Sequence, residues 1–209
     1  MLVREWMTPR PEVVTARTPV MEAMERMRQG GYRRLPVVDE GRLIGIVTDR
    51  DLKEATPSSA TTLSVYELNF LLGRMQVGEV MTTDLKTIDQ DDTIEHAALT
   101  MEEARVSGLP VVGTDGLVGI LTITDLLRAL VGFLGLREGG TRVTVDAPDE
   151  PGVLARVAQA APPSNIVAAV TSAVEPGRTR RIVLRVIGPD AAAFPERLAA
   201  TGLSASDVR

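Results

Sequence analysis

Gly45-Ile46-Val47-Thr48-Asp49-Arg50-Asp51-Leu52 returns later in the chain as Gly119-Ile120-Leu121-Thr122-Ile123-Thr124-Asp125-Leu126, a constant shift of 74 positions. Working outward, the same shift aligns residues 3–52 with residues 77–126 without a gap. Leu35-Pro36-Val37-Val38 meets Leu109-Pro110-Val111-Val112, and Val3-Arg4-Glu5-Trp6-Met7-Thr8 meets Val77-Gly78-Glu79-Val80-Met81-Thr82. About 16 of some 50 aligned positions are identical. Repeated units usually stack to bury a shared face, but this period is too long for a solenoid. Two copies predict a pseudo-twofold pair with two equivalent clefts between them.

Composition bounds the reading. A chain of 209 residues has room for one large or two small cores, and 44% hydrophobic with 24% charged residues is ordinary for a folded protein. No apolar run approaches the roughly 18 residues of a bilayer span, and Met1 leads into a charged, repeat-bearing segment rather than a secretory leader. The expectation is a cytoplasmic protein without a membrane partner. Zero cysteines exclude disulfides, thiolate zinc sites and cysteine nucleophiles, and the single histidine, His96, cannot supply a multi-histidine metal cluster. His96 is read as a helix-surface residue, and no metal is expected. A net charge of −5, with three Phe and two Tyr for stacking, gives no reason to expect nucleic acid.

Each copy opens with a short extended run, Val13-Val14-Thr15 or Lys86-Thr87-Ile88, and then a helix. Thr18 fits the N-cap with Pro19 at the first helical position, and Asp92 and Glu95 have capping-box spacing in the second copy. Val20, Ala23, Met24 and Met27 share one helical stripe, as do Ile94, Ala97, Ala98 and Met101. Gly30-Gly31 ends the first helix. Two β-branched runs follow, residues 35–38 and 43–47, around Asp39-Glu40-Gly41, and a second helix opens between Thr48 and Asp51. Each unit reads β-α-β-β-α, with the first copy in residues 1–60 and the second in residues 77–136.

Between the copies, residues 61–76 are predicted as a packed connecting helix. Ser64 and Glu67 form a capping pair, and Val65, Leu68, Leu71, Leu72 and Met75 line one side. That stripe suits both a cover for the repeat pair and a subunit contact. After the second copy, residues 127–136 extend the last helix with Leu127, Leu130, Val131 and Leu134 on a stripe, and residues 137–140 read as a linker. Residues 141–209 differ in character. A strand at residues 142–146, a Pro- and Gly-containing turn, a helix from Val153, strands at residues 166–174 and 181–187, a helix at residues 190–200 and a short terminal run give β-α-β-β-α-β, the ferredoxin-like arrangement. The fold class is α/β in the broad sense, α+β in detail.

The chemistry is sought at Thr48-Asp49-Arg50-Asp51 and Thr122-Ile123-Thr124-Asp125. A helix N-terminus offers unpaired N–H groups and partial positive charge, so hydroxyls there help hold a phosphate. A carboxylate one turn along, Asp51 or Asp125, suits the two hydroxyls of a ribose. Thr and Asp at a helix start are equally ordinary caps. The recurrence of the pattern in both copies is the argument for a ligand. Paired carboxylates such as Asp49 and Asp51, or Asp91 and Asp92, fit solvated cap positions. No Rossmann or P-loop fingerprint and no histidine-based triad is present, so no catalytic residue is assigned.

The glycine-apolar-apolar-Thr-x-x-Asp segments, the Leu-Pro-Val-Val strands and the Val-x-x-x-Met-Thr openings together resemble a tandem pair of CBS domains, the Bateman module. The resemblance implies binding of an adenosyl ligand, AMP, ADP, ATP or S-adenosylmethionine, in the clefts between repeats. Carried over by position, it makes Asp51 and Asp125 ribose ligands and Thr48, Thr122 and Thr124 phosphate-side groups. The segment before each Leu-Pro adds Arg33, Arg34 and Arg105 as phosphate-binding bases, with Pro36 and Pro110 beside them. Val14, Thr15 and Ile88 become candidates for adenine contacts. Ser107-Gly108 stands where the first copy has Arg33-Arg34, so the two clefts are expected to differ in charge.

Residues 141–209 resemble an ACT domain, on Asp149-Glu150-Pro151-Gly152-Val153-Leu154 and Asn165-Ile166. That implies an effector site at a domain interface, such as one for an amino acid, lined by Asp149, Pro151, Gly152, Val153, Leu154 and Asn165; a packing or dimerisation module without ligand is the alternative. The order of domains, with the segments at residues 49–58 and 67–72, is similar to the acetoin-utilisation AcuB-like family. The implied function is a non-catalytic sensor, homodimeric, coupled to an unidentified protein target. A constitutive dimeric scaffold without ligand, or an enzyme linked to acetoin metabolism, are the competing readings.

Overall fold

Two antiparallel hairpins, one per repeat, are the frame on which the first 126 residues are hung. In the first repeat β2 (Arg34–Asp39) pairs with β3 (Arg42–Thr48), and in the second β5 (Gly108–Gly113) pairs with β6 (Gly116–Thr122), with a register shift at the same place in each. Their inner residues, Leu35, Val37, Val47, Leu109, Val111 and Leu121, are all at most 1% exposed. The computed structural model describes residues 1–55 and 74–209, which divide into a unit Met1–Leu126 and a unit Leu127–Arg209. The helix stripe of Val65, Leu68, Leu71 and Leu72 and the pair Ser64 and Glu67 lie outside the described residues.

The two repeats exchange their opening segments. β1 (Thr8–Pro9) runs antiparallel to β6 of the other repeat, and Thr82 makes the matching bridge to Ile46 in β3. The N–H groups of Val3 and Arg4 donate to the carbonyls of Asp92 and Gln90, while those of Val77 and Gly78 donate to Thr18 and Ala16. Val77 accordingly sits in the core of the first repeat, among Val14, Val20, Leu35 and Leu52. Gly45 and Gly119 permit the crossing: a Cβ at either would overlap Met81 or Met7, respectively. The glycines that anchor the repeated motif therefore serve close approach of backbone to a neighbouring side chain.

Helix α1 (Val20–Gly30) buries Val20, Ala23 and Met27, with Met24 half-buried, and α3 (Ile94–Ala104) buries Ile94, Ala97 and Met101, whereas Ala98, at the edge of the predicted stripe, is exposed. The caps differ by one residue from the sequence reading. Pro19 holds the N-cap position of α1 and Thr18 turns inward, its Oγ1 accepting from the N–H of Thr15 at 3.0 Å. Thr93 caps α3, accepting from the His96 N–H at 3.1 Å, because Thr93 is the residue left in extended backbone. Asp92 instead accepts from the Thr93 N–H and from the exposed His96 ring. Gly31 closes α1 in the left-handed region at φ 66°, and Arg105 does the same for α3 at φ 54°. α2 (Asp49–Ala55) and α4 (Ile123–Phe133) follow the hairpins, and β4 (Ile88–Asp89) adds parallel to β5. α4 ends three residues short of the predicted Leu136, where Gly135 takes φ 57°.

The second unit has its own sheet in the order β10 (Ala205–Val208), β7 (Thr141–Pro148), β9 (Thr179–Ile187), β8 (Asn165–Glu175). Its core joins Val143, Val145, Ile182, Leu184 and Val186 to Val153 and Val157 of α5 (Val153–Gln159) and to Phe194 and Leu198 of α6 (Phe194–Ala199). The predicted helix at residues 190–200 is divided, with a 3-10 turn at Ala191–Ala193 before α6 and Pro195 in the first helical turn. No helix among the described residues is long and apolar enough to cross a membrane.

Candidate functional site

The turn from β3 into α2 fixes the acid of the first repeat. The N–H and the hydroxyl of Thr48 both donate to Asp51 Oδ2, each at 2.8 Å, and the Asp51 N–H points back at Thr48 Oγ1 at 3.3 Å. Among the described residues the other oxygen, Oδ1, carries no hydrogen bond. The second repeat repeats the device, with Thr122 N–H and Oγ1 donating to Asp125 Oδ2 at 2.9 and 2.7 Å. Asp51 is half-buried, whereas Asp125 is 4% exposed. The capping and ligand readings of this motif are thus compatible, since the cap consumes one carboxylate oxygen and orients the other.

Asp51 faces a cleft of about 220 Å³ shared by the two repeats. The first repeat lines it with Arg34, Ile46, Thr48 and Asp51, and the second with Thr82, Asp84, Leu85, Lys86, Arg105, Val106, Ser107, Gly108 and Pro110. Arg34 reaches across, its Nη2 donating to Ser107 Oγ at 2.7 Å over the bare backbone of Gly108. Burial first, and the neighbouring Arg33 second, push the Arg34 pKa below the usual arginine value. Lys86 lies 3.6 Å from Asp84, whose side chain is 90% exposed, so the pair is loose and screened.

Five residues singled out from the sequence, Thr48, Asp51, Arg34, Arg105 and Pro110, converge on this cleft. Arg33 is exposed and outside its lining, and its carbonyl accepts from the Asp49 N–H at 3.0 Å. Val14 and Ile88 are 2% and 4% exposed and pack in the repeat cores on their short strands. Thr15 is exposed and bonded to Thr18, so none of these three lines the Asp51 cleft. Pro36 is buried within β2, Thr124 is exposed at the start of α4, and Thr122 holds Asp125. Lys86 and Ser107 are cleft residues that the motifs alone did not assign. Their signal is the repeat itself: Lys86 stands where the first copy has Glu12, and Ser107 where it has Arg33.

Comparison with known proteins follows the same division of the chain. The CBS-domain model matches residues 3–58 and 77–132, and the TTHA0829-like ACT-domain model matches residues 139–209. The chain belongs to the CBS-domain family. Its CBS pair is followed by an ACT-like domain. A putative acetoin utilization protein (AcuB) from Vibrio cholerae is 29% identical, with a TM-score of 0.55, covering 66% of this chain and 96% of that one. CBSX2, solved in complex with AMP, is 33% identical with a TM-score of 0.53 over 63% of this chain and 97% of its own. The CBS pair of MJ0100, solved with 5′-methylthioadenosine and S-adenosyl-L-methionine, is 28% identical with a TM-score of 0.52 over 63% and 97%.

In the ACT-like domain the predicted effector residues do not form one intradomain site. Asp149 lies beside the Thr179 end of β9, where Arg180 Nε donates to its Oδ1 at 2.7 Å. Asn165 pairs with Ile187 at the other end of that strand. Eight residues of strand at ~3.4 Å each separate them by roughly 27 Å, because α5 carries the chain back before β8 begins. A small effector within one domain cannot touch both, so a site using the loop and Asn165 together requires an interface between two domains, as the resemblance implies. Val153 is 5% exposed and belongs to the core, Gly152 holds φ 87° at the N-cap of α5, and Pro151 and Leu154 are exposed.

Proposed function

We propose that the CBS pair is a sensor that binds an adenosine ligand in the Asp51 cleft without transforming it. The observation that supports this most is the acid itself: Thr48 holds one carboxylate oxygen of Asp51, and the residue lines a cavity to which both repeats contribute. An acceptor held in that way suits the 2′ and 3′ hydroxyls of ribose. Solved relatives carrying AMP, 5′-methylthioadenosine and S-adenosylmethionine give the same ligand class. Because one cleft joins two repeats, occupancy favours whichever arrangement of them closes on the ligand, and the coupling is limited to the difference in affinity between arrangements. Asp51→Ala is expected to weaken AMP binding at least tenfold in calorimetry, with AMP recovered unchanged after incubation. Unaltered affinity in that variant would remove the site, and consumed nucleotide would make the protein an enzyme.

A homodimer is the second part of the reading. Ile123, Leu127, Leu130 and Phe133 of α4 are 38–56% exposed, whereas the matching helix α2 turns charged residues outward at the equivalent places, Asp49 and Lys53, joined as an ion pair at 2.6 Å. Among the described residues this apolar face belongs to the second repeat, and it suits a second copy of the chain. Leu127→Glu combined with Leu130→Glu should then shift the mass from light scattering from dimer to monomer; a wild-type monomer at micromolar concentration refutes it. The same face also supports the scaffold reading, in which the dimer forms and calorimetry with nucleotides is silent. The target protein, a cytoplasmic location and an effector at the ACT-like domain belong to the proposal and rest on family resemblance.

A further inference from the structure

With no cysteine in the chain, eight methionines are the sulfur it offers to an oxidant. Met27 and Met101 are sealed in the repeat cores, Met1 and Met21 stand in solvent, and Met24 and Met75 are half-buried against the first core. None of these six adjoins a cleft-lining residue in the chain. Met7 and Met81 occupy equivalent places in the two repeats, 74 positions apart, and both are half-buried, so that part of each is open to a small solute. The packed part meets bare backbone. The sulfur and Cγ of Met81 lie over Gly45, and those of Met7 over Gly119, in the space where any other residue would place its Cβ. At the packing density of a protein interior there is no slack at that point for an added oxygen.

Met81 is the one of the pair that adjoins the Asp51 cleft. Thr82, next in the chain, exchanges two backbone hydrogen bonds with Ile46, at 2.9 and 3.0 Å, and Thr82 and Ile46 both line the cleft. On its other side, the Met81 N–H donates to the carbonyl of Val77, the residue of the second repeat that is buried in the first core. The side chain over Gly45 therefore lies between a core and a ligand wall. Met7 makes the equivalent crossing, with Thr8 opposite Ile120, but neither of those residues lines this cleft.

Resting on the adenosine reading of this cleft, we propose that Met81 is a modification site through which a peroxide regulates ligand binding. The thioether lone pair attacks one oxygen of hydrogen peroxide, an S–O bond forms as the O–O bond breaks, and the departing hydroxide takes the proton of the transferred hydroxyl to leave as water. Sulfur gives up two electrons and the peroxide is reduced. The sulfoxide is polar and chiral where the thioether was apolar and compliant. It has to move off Gly45, Thr82 moves with it, the bridge to Ile46 opens and the cleft loses part of its wall. Two thiols reverse the step, becoming a disulfide while the oxygen leaves as water.

The test treats the full chain with hydrogen peroxide under conditions in which circular dichroism shows it folded, follows each methionine by peptide-mapping mass spectrometry, and measures AMP binding by calorimetry. Conversion of Met81 should weaken AMP roughly tenfold, the factor that accompanies loss of about one hydrogen bond. Methionine sulfoxide reductases A and B with dithiothreitol should restore it. Met81→Leu, close in volume, should bind AMP as wild type does and ignore peroxide, whereas Met21→Leu should lose affinity on treatment as wild type does. The reductase arm uses the wild-type chain, so it decides the matter even where Met81→Leu fails to fold. Met81 still reduced after Met1 and Met21 are fully converted, AMP affinity indifferent to Met81 oxidation, or a loss that persists in Met81→Leu overturns the regulation and leaves the adenosine site standing. Untreated wild type that binds no AMP overturns the adenosine reading, and the regulation falls with it.

Discussion

Thr48 directs both of its donors at one oxygen of Asp51, and this settles what a substitution there should do. If the hydroxyl belonged to the phosphate, Thr48→Val would weaken AMP and spare adenosine. As a positioning residue for Asp51, Thr48 should affect both ligands equally. The expected outcome is a parallel loss measured by calorimetry and NMR, with a stability decrease of about 0.5–2 kcal/mol from the lost helix cap. A loss confined to AMP would return the hydroxyl to the phosphate side. Thr48 and Asp51 are legible in the sequence because an apolar hairpin running into a Thr-x-x-Asp helix start fixes their mutual placement locally, whereas Arg34 follows only from the family resemblance. Lys86 and Ser107 are not legible, since they meet Asp51 only through contacts between two repeats 74 positions apart, which no local periodicity encodes.

Elements are legible where one periodicity dominates. Most of the stripes of α1 and α3, Ala98 excepted, and the alternation of Ile182, Leu184 and Val186 turn inward as the sequence predicts. Boundaries are less so, because Thr18 and Asp92 each have a competing turn or side-chain partner that shifts the cap by one residue. The sheet of the ACT-like domain shows what sequence pattern leaves out. Asp149, just after β7, and Asp146, on it, are held by Arg180 and Arg181 of β9 respectively, with Nε to Oδ1 distances of 2.7 Å in each pair. Hydrogen bonds from those guanidinium groups hold both carboxyls below the usual carboxylate range, with the charge attraction secondary. A depressed native pKa means stabilisation that is present above the unfolded value, near 3.9, and is lost as pH falls through the native value. Denaturant midpoints for this domain should therefore hold from pH 7 to about pH 5 and decline below pH 4. In Arg180→Gln with Arg181→Gln the decline should be shallower. An identical acid slope in wild type and double variant would show that these pairs do not carry the pH dependence.

At the scale of the molecule, cooperativity should follow the cores. Val77 completes the first repeat, and Val3, fully buried, docks its N–H on the second, so neither repeat has a complete core without the other. The second unit has a buried core cluster of its own, from Val143 to Leu203. Two calorimetric transitions are therefore expected, one for the interlocked CBS pair and one for the ACT-like domain. Phe194, fully buried in the latter, supplies the label. Phe194→Ala should cost about 3–5 kcal/mol and lower one transition while the other stays in place. AMP at roughly 100 times its dissociation constant should add about 2.7 kcal/mol to the transition that Phe194→Ala leaves alone. Val3→Ala, by contrast, should lower the whole CBS-pair transition without splitting it, because the exchanged segments make each repeat's core a condition of the other's. A third transition in Val3→Ala, or AMP moving the Phe194-sensitive transition by the same amount, would show that the cooperative units are not those defined by the cores.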